Sequence, residues 1–262
     1  MPDKGGETIR DFYTRYYKAT RTSAVYSKFC KRVFGLYFSQ HGFSDMSQVA
    51  SLLAFINLKP GDRVLDLGCG NGAMADYIAE LTGAHLTGID YIPEAIRQAN
   101  QRTRGRGKNL AFKVMDIGAL NFPPESFDTI ISIDSLYFTD IVSTIRQMKN
   151  ILKPGGQMGI FYSHGVSPGN PAETFDFTSL HPDRTPLAVA LWKNRLSYKT
   201  WDFTAEDYAH ALLKQKVAED MKAEFEAEGN LFLFRSRYRE ARGVINAIDA
   251  DAHKRYLYHV TH

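Results

Sequence analysis

An α/β fold with a doubly wound, mostly parallel sheet and helical lid segments toward both ends of the chain is the architecture this sequence predicts. Three observations lead there. From residue 62 short apolar runs alternate with helical periodicity; a glycine-dense stretch, Val64–Gly72 (VLDLGCGNG), joins the first run directly to a helix; and residues 8–57 show helical spacing without a strand pattern. Parallel strands need a crossover between them, and the alternating helices supply it.

Taken in order, Ile9–Ala19, Ala24–Phe38 and Ser47–Ile56 place apolar residues three and four apart and read as helices, with Gly42 expected to close one of them. The many Tyr and Phe residues here fit packing onto the main domain. Strands are expected at Arg63–Leu67, His85–Ile89, Leu110–Met115, Phe127–Ile133 and Gln157–Tyr162, and helices at Ala73–Leu81, from Pro93, and at Ile141–Ile151. Residues 163–184 hold three prolines (Pro168, Pro171, Pro182) and read as an irregular loop, followed by a helix at Pro186–Leu196 and a strand at Leu196–Phe203. Thr204, with Asp207 three residues on, reads as a capping box opening helices that run through Glu228 and again from Leu231 to Ile248. Arg255–Val260 alternates like a last strand. The division expected is a helical lid over 1–57 and a ligand-binding domain over 58–262, with helical insertions at about 163–195 and 204–248.

Composition narrows the function classes. In 262 residues, 44% are hydrophobic and 23% charged, the balance of a chain with a full core. The 32 basic and 29 acidic residues leave a net charge of +3, too even for a nucleic-acid-binding face, and the run Arg102–Lys108 reads as a solvated turn. The 2 cysteines, Cys30 and Cys69, lack metal-ligand spacing and give no disulfide framework, so a cytoplasmic protein is expected. No segment approaches the roughly 20 apolar residues of a membrane span. The oligomeric state stays open.

The chemistry concentrates at VLDLGCGNG. Glycines let a ligand approach the backbone, and the following helix N-terminus offers N–H groups and partial positive charge to an anion. Gly68, Gly70 and Ala73 also satisfy the dinucleotide fingerprint, with Asp90 twenty residues after Gly70, so the loop by itself admits a nicotinamide cofactor. Three features point elsewhere: Asp66 inside the first strand, Asp116 at the end of the third, and LKPGG between the fourth and fifth.

With these motifs in order (VLDLGCGNG, GID at 88–90, MDI at 115–117, FDTIISIDSLYF at 127–138, LKPGGQMGIFY at 152–162) the chain resembles the class I S-adenosylmethionine (SAM)-dependent methyltransferases. The resemblance covers about residues 62–162 and continues more loosely to the C-terminus, where a strand, a helical insertion and a last strand are similar to the small-molecule branch. It implies a Rossmann-like methyltransferase fold and SAM as cofactor. By this resemblance Gly68, Cys69 and Gly70 lie against the methionyl part and Asp66 anchors its ammonium. Asp90 accepts both ribose hydroxyls, Asp116 and the Ile117 N–H take the adenine, and Tyr91 and Ile92 sandwich it. Ile133 and Asp134 border the sulfonium, and Gln40 and His41 touch the cofactor carboxylate. Cys69 serves as a small loop residue rather than a reactive thiol.

Adenine-N6 methyltransferases of this class carry N/D-P-P-Y/F after the fourth strand; here Asp134–Ser135–Leu136–Tyr137 stands in its place. A small-molecule acceptor is therefore expected, under a roof made from 8–45, 163–200 and 204–248, with Tyr137, Phe138, Tyr162 and His164 as pocket candidates or packing residues. Direct displacement from a sulfonium needs neither metal nor covalent nucleophile. Two other readings keep the same loop: a SAM-binding protein without catalysis and a NAD(P)-dependent oxidoreductase, the latter leaving Asp116 and LKPGG without a role.

Overall fold

Thr8 opens the first helix, α1 (Ile9–Thr22), with a reciprocal cap. Its hydroxyl accepts from the Asp11 N–H at 3.1 Å while the Asp11 carboxylate reaches back to the Thr8 N–H. The computed structural model describes residues 7–39, 41–42, 44–106, 109–167 and 171–262. Gln40, Lys108 of the basic run and Pro168 of the proline-rich segment lie outside the described residues.

α2 (Ala24–Phe34) ends at Phe34 rather than Phe38 because Gly35 takes φ 88, a left-handed value that terminates a helix at little cost. Gly42 closes no helix: it lies in a bend where an added Cβ would stand 2.8 Å from the Asp134 carboxylate. α3 (Met46–Ile56) starts at Asp45, whose carboxylate accepts from the Ser47 and Gln48 N–H groups.

The alternation then runs β1 (Arg63–Leu67), α4 (Ala73–Thr82), β2 (His85–Asp90), α5 (Pro93–Arg102), β3 (Leu110–Val114), β4 (Phe127–Ile133), α6 (Ile141–Ile151) and β5 (Leu152–Gly165). It continues with α7 (Pro186–Lys193), β6 (Ser197–Asp202), α8 (Thr204–Asp220), α9 (Lys222–Ala227), α10 (Leu231–Asp249) and β7 (His253–Thr261). All seven strands join one sheet in the order β3-β2-β1-β4-β5-β7-β6. The first five are parallel, and β7 runs antiparallel to both β5 and β6. Chain order reverses between β1 and β4, and the crevice at their carboxyl ends is where such sheets bind ligands.

Two local expectations change. Thr204 is the first residue of α8 and caps nothing; its hydroxyl accepts from the Arg255 N–H at 3.1 Å, and Asp207 is buried against His253 at 3.2 Å. α7 inserts Leu187, Ala188 and Leu191 into the sheet's own core beside Ile145 and Met148 of α6, so this part of 163–195 belongs to the body and not to a roof.

The roof has its own core. Tyr16, Tyr26 and Phe29 from α1 and α2 pack with Phe225 of α9 and Leu233 of α10, and this cluster rests on Ile92 and Ala95 at the start of α5. Ser23 hydrogen-bonds Glu228, and the ion pairs Lys28–Glu224 (3.1 Å) and Arg32–Asp220 (2.9 Å) tie its two halves together. Among the described residues no helix is long and apolar enough to cross a membrane.

Candidate functional site

β1 enters the crevice between β2 and β4, with Asp66 in register with Gly88 on one side and Ile131 on the other. A carboxylate this deep, 6% exposed, costs free energy unless something compensates it. Burial first, and the Asp90 charge second, push its carboxyl up to about 7. Among the described residues it has no hydrogen bond or ion pair to offset that cost.

The loop after β1 is anchored by backbone. The Gly68 and Cys69 N–H groups both donate to the Ile89 carbonyl at 2.9 Å, and the Gly70 N–H donates to the Asp90 carboxylate at 2.9 Å. Gly70 sits at φ 57, and an added Cβ would meet the Tyr17 hydroxyl of α1 at 2.6 Å; the roof thus closes directly onto the loop. A Cβ on Gly68 would strike Ser135 at 2.6 Å. Gly72 is packed against the Phe112 ring and serves the helix–strand contact.

Asp90 ends β2 and accepts with its second oxygen from the Ile92 N–H at 2.8 Å. Two backbone donors hold the side chain in one pose, yet burial outweighs them and raises its carboxyl above the ordinary range. Each carboxylate oxygen keeps a further lone pair, so the site can accept two hydroxyls without losing the loop. Tyr91 is half exposed with the Arg10 guanidinium 5.4 Å above its ring. Ile92 is buried with the roof aromatics, Asp116 is exposed and accepts from the Gly118 N–H at 2.7 Å, and Ile117 belongs to the sheet core.

At the end of β4, Ile133 is half-buried and Asp134 adopts φ 56. Asp134, expected to border the sulfonium, has its carboxylate bound to the Arg255 guanidinium at 2.7 and 3.1 Å. Arg255 is fully buried and is held further by Ser163, Ser44 and Gln48.

His41, expected beside the cofactor carboxylate, is held inside the roof. Arg237 has no acceptor, so its contact with His41 Nε2 makes that nitrogen the unprotonated one; Nδ1 then carries the hydrogen toward the Tyr13 hydroxyl at 3.4 Å. Burial and the Arg237 charge keep the ring neutral. Both nitrogens are spent inside the roof. Gln40, expected beside it, lies outside the described residues.

The pocket candidates gather as one group. The Tyr137 hydroxyl accepts from the Ser163 N–H at 2.8 Å and donates to Asp134 at 3.3 Å, and its ring stands 5.2 Å from Tyr162. Phe138 is 52% exposed beside it, and His164 lies on the same strand face as Tyr162. Sequence reasoning missed Arg237 and Arg255. The one local signal was an arginine inside a strand whose neighbours Tyr256, Leu257 and Tyr258 are all apolar-bodied and buried.

Comparison with known proteins bears on the family and the fold. A family profile described as a methyltransferase domain matches residues 58–224. Phosphoethanolamine N-methyltransferase 1 of Zea mays is 35% identical over 146 residues, which are 55% of this chain but only 28% of that enzyme. The chain thus spans well under a third of that relative's length. An aklanonic acid methyltransferase of Streptomyces sp. (strain C5) is 37% identical over 131 residues, 48% of this chain and 56% of its own. The solved structure of phosphoethanolamine N-methyltransferase 2 from Haemonchus contortus superposes with a TM-score of 0.76 at 20% identity, covering 99% of this chain and 61% of the other, which speaks for the fold alone.

Proposed function

The chain belongs to the methyltransferase domain family, and from that premise we propose that it transfers the methyl group of SAM to a small-molecule acceptor by direct displacement. One observation carries the reading: Asp66, a buried carboxyl group without a hydrogen-bond or ion-pair partner among the described residues, beneath a glycine cradle. A ligand with a cationic head resolves that cost, and the ammonium of a methionyl group is such a head. A nicotinamide dinucleotide leaves Asp116 and LKPGG without a role, which disfavours the oxidoreductase.

The residues fit the cofactor. Asp66 would hold its ammonium, Gly68, Cys69 and Gly70 its methionyl chain, Asp90 its ribose hydroxyls, and Asp116 with the Ile117 N–H its adenine. When bound, SAM supplies a methyl group on a good sulfur leaving group. The chain's own work is alignment and exclusion of water. Tyr17 covers the loop, the neutral pair Tyr13–His41 closes the roof behind it, and Tyr137 with Tyr162 forms the wall facing the end of β4.

Isothermal titration tests the cofactor: SAM is expected to bind in the micromolar range, and binding of NAD in its place would end the proposal. Mass spectrometry of methyl transfer to a metabolite panel separates an enzyme from a SAM-binding protein without catalysis.

A further inference from the structure

His164 lies on β5 two residues after Tyr162 and near the carboxyl ends of the parallel strands. Its ring is nearly parallel to that of Tyr162, with 17° between planes at 6.4 Å, and 5.3 Å from Phe175. With Tyr137 and Phe177 these rings make one row, with Tyr162 and Phe175 buried within it and Tyr137 and Phe177 40% and 48% exposed at its ends. The exposed rings at its ends offer apolar faces, and a flat molecule is the partner that such faces fit.

The protonation of His164 follows from one hydroxyl. Ser179 Oγ stands 2.5 Å from the Asp176 carbonyl oxygen, which can only accept, so the single Ser179 proton lies between them. Toward His164 the same oxygen offers a lone pair, and the 2.8 Å contact is donated by Nε2. Nδ1 is then the bare nitrogen, and among the described residues nothing hydrogen-bonds to it. Burial, with His253 adding to it, holds the imidazole below its ordinary range, against the opposing pull of Asp176. Lys254, opposite His164 in the β5–β7 ladder, Tyr162 with Tyr256 opposite it, and Tyr137 are further titratable groups on this face.

We propose that His164 Nδ1 is the general base of this site and that the acceptor is a planar compound with a weakly acidic hydroxyl, a phenol in its simplest form. The inference rests on the SAM-dependent methyl-transfer reading and names its substrate class. A neutral amine attacks without prior deprotonation, whereas a neutral phenol is a poor nucleophile and gains from a base. In the step, the phenol oxygen bonds to the methyl carbon and the carbon–sulfur bond breaks with its electron pair left on sulfur. The phenol proton passes to Nδ1, and the positive charge that left sulfur resides on the imidazolium until water takes the proton. Tyr137 and Tyr162 position the ring.

Two measurements test it. In ¹⁵N-labelled protein, His164 is expected to show an unprotonated Nδ1 and a protonated Nε2, and Ser179→Ala is expected to erase that bias. With SAM as donor, 4-methoxyphenol and 4-nitrophenol serve as probes at mildly alkaline pH, where the second is already largely ionised. His164→Asn is expected to slow methylation of 4-methoxyphenol by about a hundredfold or more and of 4-nitrophenol by less than about tenfold, with the deficit shrinking as pH rises. Equal losses on both probes, a protonated Nδ1, or a SAM-binding protein that methylates neither phenol would overturn the proposal. A protein that fails to bind SAM overturns the underlying reading and this one with it, and calorimetry on the wild type distinguishes that case.

Discussion

Arg255 of the last strand and Asp134 at the end of β4 form a bidentate ion pair, with N–O distances of 2.7 and 3.1 Å and both side chains buried. The pair links the antiparallel edge of the sheet to the crevice that holds the site. Breaking one side strands a buried charge, which costs about 3–5 kcal/mol. Arg255→Met is therefore expected to lower the denaturant midpoint by a corresponding amount, and Arg255→Met combined with Asp134→Asn to recover part of it. A single variant as stable as wild type would remove the pair from the stability account.

Asp90 is held by two backbone donors, Gly70 and Ile92, and offers its remaining lone pairs to the crevice. Replacing it by Ala removes a charged acceptor for a pair of hydroxyls, worth about 1.5–3 kcal/mol of SAM affinity. Calorimetry reads this directly. Binding within twofold of wild type would dissociate Asp90 from the ribose.

Asp66 makes binding depend on pH. Its carboxyl is raised to about 7, so below that value the crevice is occupied by a neutral acid. SAM affinity is expected to weaken as pH falls through 7, because the ammonium loses its counter-charge. The stability of the free protein runs the other way. A carboxyl raised on folding is penalised as pH climbs from its unfolded value near 3.9 to its folded one, so the contribution is largest in acid and fades toward neutrality. Asp66→Asn is expected to flatten both profiles; a variant that keeps the wild-type slope of affinity would locate the titration elsewhere.

Tyr137→Phe separates the hydroxyl from the ring. The hydroxyl accepts from the Ser163 N–H, so its loss leaves that donor unpaired beside the pocket and costs about 1–3 kcal/mol. A fall in melting temperature with unchanged SAM affinity is expected, together with lower turnover, since the hydroxyl also fixes the ring against Tyr162. A variant with wild-type melting and turnover would reduce Tyr137 to a bystander.

Local chemistry was readable in the sequence. The run VLDLGCGNG carries strand, turn and helix within a few residues of one another, and β1, the loop and α4 follow it closely, with Asp66 and Asp90 at the strand positions expected. What escaped depends on partners distant in the chain. Arg255 reaches Asp134 across 121 positions and Arg237 reaches His41 across 196, and no window of sequence contains both members. Thr204 shows the same limit: its spacing to Asp207 has the form of a capping box, but tertiary partners, the Arg255 N–H and His253, claim both side chains. Gly42 misled for a related reason, since what it accommodates is the Asp134 carboxylate and not a helix end.

The roof core joins α1 and α2 to α9 and α10, and its Ser23–Glu228 contact spans 205 positions. During synthesis on the ribosome, at about 5–20 residues per second, the first helices emerge on the order of 10–40 s before the helices that cover them. For that interval Tyr16, Tyr26 and Phe29 face solvent or a chaperone. The parallel strands can pair meanwhile, so the sheet precedes its cover and the crevice is completed last. On the proposed reading, methyl-donor binding is thereby postponed until α9 and α10 have been made.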